Sequence, residues 1–245
     1  MRHGLDVGWR ERISVSPAPD VSAADIVIEA VVEDLEVKRR TIALAQERFE
    51  DAPVWSTTSA ILPSELALGA PRADGIIVAH FINPAHLIPL VEVVSSNQTS
   101  QRVVDQCMEM LRSWGKRPVL LSREIRGFVH NRLQYALFRE ALSLVDSGVV
   151  EASELDALVR SGFGLRMPAI GPFGLANLAG PSLYATIADC LWPDLDNSTS
   201  SLPMHELAES GKRFMGWSED DVRAAAQEVR VELITHVGNS NRRPS

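Results

Sequence analysis

The sequence is short of cysteine, of long apolar runs and of positive charge. Its 245 residues include two cysteines, Cys107 and Cys190, without the spacing of a metal-ligand pair. That excludes a disulfide framework and a thiolate metal centre, and leaves buried or incidental thiols in a reducing compartment. No apolar run reaches the roughly 18 residues of a membrane span. Lysine and arginine total 24 against 32 acidic residues, a formal charge of −8 with no long basic run. Nucleic acids and anionic membranes are therefore excluded as partners. Residues 1–16 carry charges and no apolar h-region, which excludes a secretory signal. The expectation is a soluble cytoplasmic protein. Hydrophobic residues make up 45% of the chain, enough for one large domain or two modest ones.

What is present falls into two parts. Asp25–Val32, Val54–Ser59, Gly75–Phe81, Leu87–Val94 and Pro118–Ser122 are short β-branched runs that read as buried strands. Arg12–Val15 reads as a short edge strand. Helical patterns over Asp34–Arg48, Ser64–Ala70 and Ser100–Trp114 lie between them, the first with Leu35, Ile42, Ala43 and Ala45 inward and Lys38, Arg39 and Arg40 outward. Alternation of this kind implies a mostly parallel sheet with helices on its faces. After about residue 123 no strand pattern recurs. Helices are expected over Arg132–Val149, Ser153–Ser161, 173–191, 204–214 and 219–236, the last opened by Ser218 with Asp221 and stopped at Gly238. The boundary is placed so that residues 1–124 form the α/β domain, 125–238 a helical domain and 239–245 a disordered tail.

One pair of residues could carry chemistry. His80 ends a predicted strand, and Glu92 lies within Leu-Val-Glu-Val-Val on a nearby one. A carboxylate among valines is costly unless partnered. An imidazole has an unperturbed pKa of about 6.5, which suits a base near neutral pH. A carboxylate beside it fixes its tautomer. The strand ends of open α/β sheets are where ligands bind. Spacing alone leaves a structural histidine equally open. Thr57, Thr58 and Ser59 follow a strand and offer hydroxyls to a substrate, or ordinary turn chemistry. Asn83 follows His80 closely and is grouped with the candidate substrate contacts. Asn131, before a helix, is either a donor to a carbonyl oxygen or a helix cap. Arg166, in a glycine-interrupted loop, is either an anchor for an acidic group or a solvated arginine.

Five stretches together resemble the 3-hydroxyacyl-CoA dehydrogenase family, and within it the branch of lambda-crystallin and L-gulonate 3-dehydrogenase. They are ADIVIEAVVEDLEVKR, STTSA, AHFINPAHLIPLVEVV, GFVHNRLQYALFREALSLVDSGVV and GFGLRMPAIGPFGLANLAG, spread in family order over about residues 21–180. The resemblance implies His80 as catalytic base, Glu92 as its partner, Ser59 on the reacting hydroxyl and Asn131 on the substrate carbonyl. It implies NAD as cofactor, with Glu33 and Lys38 at its nicotinamide half. Read by themselves, those two residues are a solvated first helical turn. It further implies a homodimer through the helical domain, and a hydroxy acid or hydroxyacyl thioester as substrate.

The departures are specific. The glycine-rich turn G-x-G-x-x-G, which lets backbone approach a pyrophosphate at a helix N-terminus, occurs nowhere in this chain. Thr57, Ala60 and Asn177 stand where the family usually has Asn, Ser and Asp. The expected fold is therefore α/β, an N-terminally truncated Rossmann-like parallel sheet followed by an all-helical C-terminal domain. Three accounts follow: the turn lies ahead of the recorded start; the dyad performs cofactor-independent lyase or hydrolase chemistry on a β-hydroxy or β-keto acyl substrate; or the chain is a non-catalytic dimeric binding protein.

Overall fold

A computed structural model describes residues 11–17 and 21–240. The chain divides into two units after Phe128. In the first, β1 (Val27–Glu29), α1 (Leu35–Arg48), β2 (Val54–Ser56), α2 (Pro63–Ala67), β3 (Ile76–Phe81), β4 (Leu90–Val94), α3 (Gln101–Ser113) and β5 (Arg117–Leu120) follow in order. The strands form one sheet in the order β1-β2-β3-β4-β5. Residues 125–128, expected to open the helical domain, belong with this sheet because the Phe128 ring is part of its core. Of residues 12–15, expected as an edge strand, Arg12 lies in a 3-10 turn and 13–15 take no regular structure.

β1, β2 and β3 run parallel, β4 is antiparallel to β3, and β5 is parallel to β4. The sheet is mostly parallel, as expected, and its one antiparallel pair has a geometric reason. Parallel neighbours need a crossover of a dozen residues or more, and only residues 82–89 separate β3 from β4.

Side chains alternate across the sheet. Val54, Ile76, Val78 and Val94 face α1 and α2, packing with Ile42 and Leu66. Trp55, Ile77, Val91 and Val93 face α3, packing with Val103 and Leu111. Burial on both faces is why the strands read as continuous β-branched runs. By the same alternation Glu29, Ser56, His80 and Glu92 all point to the α1–α2 face.

On that face a buried ion pair ties α1 to β1. Asp34 caps the helix by accepting the Val37 N–H at 2.9 Å. One turn on, Lys38 is buried rather than outward. It donates to Glu29 Oε1 at 2.9 Å and to the Val31 carbonyl at 3.1 Å. Glu29 also accepts the Val31 N–H and the Ser56 hydroxyl. Lys38, Ile42 and Gln46 are the buried residues of α1 and recur every fourth position, a single helical stripe.

The second unit is helical throughout its described residues: α4 (His130–Asp146), α5 (Ala152–Ser161), α6 (Pro172–Ala179), α7 (Pro181–Leu191), α8 (Leu202–Glu209) and α9 (Glu219–Ser240), with short 3-10 turns between. The single helix expected over 173–191 is two, because Gly180 adopts φ 97° and Pro181 opens α7. Ser218 and Asp221 exchange hydrogen bonds at the start of α9, as a capping box should. The helix continues through Gly238 to Ser240, so residues 239–240 are not a tail, and 241–245 lie outside the described residues. No helix among the described residues is long and apolar enough to cross a membrane.

Removing one member of a buried ion pair strands its partner, at a cost of about 3–5 kcal/mol. Lys38→Met should lower stability by about that amount, read from urea unfolding near neutral pH. Adding Glu29→Gln to Lys38→Met should recover part of the loss. Wild-type stability in the single variant would refute the clamp.

Candidate active site

The antiparallel register sets His80 directly opposite Glu92. Their side chains are 5% and 4% exposed, and His80 Nδ1 lies 2.9 Å from Glu92 Oε2. A carboxylate only accepts, so Nδ1 carries a hydrogen and donates it to Glu92. A ring held in this way can serve as an oriented general base. The Phe128 ring packs beside the imidazole, its centre 5.3 Å away. Sequence reasoning missed Phe128, which carried no chemical signal.

Asn83 follows on the exposed loop between β3 and β4. Lys116 holds this loop by donating to the Ala85 and Ile88 carbonyls. Burial pushes the Lys116 ammonium below its ordinary range.

A second cluster sits at the ends of β1 and β2. Glu33 has a side chain 45% exposed and lies 3.3 Å from the buried Lys38 ammonium. It accepts the Thr58 hydroxyl and, at 3.0 Å, the Ser59 N–H. Burial disfavours charge on Glu33. The Thr58 and Ser59 hydrogen bonds and the nearby Lys38 outweigh that effect and hold its carboxyl below its ordinary 4.5.

Two candidate residues have intramolecular partners here. Thr58, a candidate substrate contact, is buried; its hydroxyl donates to Glu33 and accepts from the Ile61 N–H at 3.0 Å. Lys38, a candidate cofactor contact, is 1% exposed, with Glu29, Val31 and Glu33 around its ammonium. Three acceptors thus surround the three N–H donors of the ammonium. Ser59 is exposed, while Thr57 is half-buried with its N–H donating to the Glu29 carbonyl. The β2–β3 pairing puts Ser59 and His80 at the same end of neighbouring strands.

The remaining candidates belong to the second unit. Asn131 is the second residue of α4, whose N-cap is Val129, so the helix-cap reading does not hold. Arg166 is exposed and follows the 3-10 turn Phe163–Leu165, its N–H donating to the Phe163 carbonyl at 3.1 Å.

Residues 9–125 match the NAD binding domain of 3-hydroxyacyl-CoA dehydrogenase, and residues 127–212 match its C-terminal domain. A 5-formyl-3-hydroxy-2-methylpyridine 4-carboxylate 5-dehydrogenase of Mesorhizobium japonicum is 34% identical over 195 residues, covering 79% of this chain and 63% of that protein. A 3-hydroxyacyl-CoA dehydrogenase of Gibberella moniliformis is 37% identical over 221 residues, covering 88% of this chain and 66% of that one. Rabbit (Oryctolagus cuniculus) lambda-crystallin is 42% identical over 151 residues, 61% of this chain and 47% of its own. The chain thus spans about half to two thirds of the length of these relatives. Among solved structures, a 5-formyl-3-hydroxy-2-methylpyridine 4-carboxylic acid 5-dehydrogenase described as an NAD+-dependent dismutase superposes with a TM-score of 0.84 at 30% identity, over 90% of this chain and 74% of that one.

The chemistry of a dinucleotide site is present here only in part. Glu33, partly exposed at the strand ends beside the buried Lys38, offers a carboxylate of the kind that the nicotinamide half would meet. The glycine-rich cradle for the pyrophosphate is not among these 245 residues.

A carboxyl held below its ordinary value adds stability above the unfolded-chain value and loses it as pH falls through the folded one. Wild type should therefore lose more stability than Glu33→Gln as pH drops below 4.5. Urea midpoints across the acid range check this, and parallel curves would refute it.

Proposed function

The chain belongs to the 3-hydroxyacyl-CoA dehydrogenase family, and from that premise we propose that it serves NAD-dependent oxidation of a 3-hydroxy acid or 3-hydroxyacyl thioester. The observation that carries this reading is the 2.9 Å His80–Glu92 pair at the ligand-binding end of the sheet. Bound NAD would supply the acceptor for the hydride that leaves the carbinol carbon. His80 Nε2 takes the hydroxyl proton as the carbonyl forms. Glu92 holds the ring and balances the imidazolium that results. Ser59 orients the hydroxyl, and Glu33, braced by Lys38, faces the nicotinamide. Asn131 receives the role of carbonyl contact and Thr57, Asn83 and Arg166 that of substrate contacts, all on the resemblance of their motifs.

The reading includes a homodimer through the helical unit. No described side chain of that unit is buried. Leu133, Leu158, Phe173 and Leu178 are each more than 60% exposed. Apolar side chains in such density mark an association surface. Light scattering on the purified chain should give twice the 26.9 kDa monomer mass, and a monomer would end the dimer proposal.

NADH should bind the purified chain, detected by its fluorescence. Oxidation should be measurable within a panel of L-carnitine, 3-hydroxybutyrate and 3-hydroxybutyryl-CoA. His80→Ala should cut kcat by about 10²–10⁴-fold, and Glu92→Gln should lower it as well. Absence of NADH binding at millimolar cofactor would exclude redox chemistry for this chain. A fully active His80→Ala enzyme would remove His80 as the base.

A further inference from the structure

Two successive residues at the end of the first unit hold left-handed backbone, Gly127 at φ 74° and Phe128 at φ 52°. Glycine adopts this region freely, whereas for a bulky side chain it is an outlier. Such a conformation persists only where the surroundings over-determine it, and these outliers cluster at functional sites. Here the surroundings are specific. Phe128 is fully buried in the cluster that holds Val78, Val94 and Leu66. Its N–H donates to the Ile125 carbonyl at 3.0 Å. Its ring centre lies 5.3 Å from that of His80, with the planes inclined by 54°. This is within the usual range of about 4.5–7 Å for packed aromatic rings.

We propose that Phe128 is a positioning residue for His80: the left-handed turn delivers its ring against the imidazole and holds that ring in line with Glu92. The need follows from the geometry of histidine. Its ring torsion is soft and broadly two-fold. The hydrogen bond from Nδ1 to Glu92 fixes one atom of the ring and leaves rotation about that bond to be stopped by packing. Phe128 supplies a rigid flat wall there, on the same sheet face as Val78, His80 and Glu92. The side chain acts by shape, since it has no group to donate or accept. The inference rests on the reading of His80 as the base.

Nitrogen–proton NMR spectra of the histidine rings of the full chain test it, with the His80 signals identified by their loss in His80→Gln. Wild type should show a single tautomer with Nδ1–H protected from exchange. Phe128→Leu keeps apolar volume and removes the flat ring. That variant should stay folded by circular dichroism, while its His80 signals shift and average between tautomers and the Nδ1–H loses protection. Phe128→Met is read in the same way if Phe128→Leu does not fold. Ile42→Ala, in the same core cluster, controls for general destabilisation and should leave the His80 signals in place. Where turnover is measurable, kcat should fall by about 10²-fold, the cost of a small misplacement of a reacting group, with KM little changed. Unchanged His80 signals in a folded Phe128 variant would overturn the proposal. So would an equal change in Ile42→Ala, or failure of both Phe128 variants to fold, each of which assigns Phe128 to the core alone. A wild-type His80 without a fixed tautomer would overturn the base reading itself, an outcome visible before any variant is made.

Discussion

A carboxylate buried in a strand of valines must have a partner, and the pairing of β3 with β4 provides one. Directly opposite residues of an antiparallel pair have Cβ atoms about 4.5–5.5 Å apart, close enough for His80 and Glu92 to bond. A slip of one residue would turn Glu92 toward α3, among Val91, Val93 and Leu111. There an unpaired charge would cost several kcal/mol. The dyad and the register therefore specify each other.

The same rule governs the other end of the sheet. Glu29 is buried and is surrounded by Lys38, Ser56 and the Val31 N–H. Lys38 reaches on to Glu33, which is partly exposed. Charge is thus relayed from the core to the surface, with each buried member matched. Glu33 is left with a fixed position and a face to solvent, as a ligand contact requires. The polar side chains of the strands described above lie on one face of the sheet, because Glu29, Ser56, His80 and Glu92 share their strand parity with the Val27, Val54, Val78 and Val94 of that face. The opposite face is packed against α3 and takes no part.

Much of this was legible in the sequence, and the failures have physical causes. The dyad was readable because one Glu among valines has few ways to survive. Most helix spans were readable from period and caps. The burial of Lys38 was missed because a lysine is scored by its charge, although Lys38, Ile42 and Gln46 share one stripe and the stem of a lysine is apolar. The partners of Thr58 were not legible because a hydroxyl after a strand looks the same whether it serves a ligand or a neighbouring carboxylate. The direction of β4 turned on a loop too short for a crossover, which a count of residues 82–89 would have shown. Phe128 left no signal, since backbone dihedrals at a non-glycine residue are set by packing that the sequence does not display.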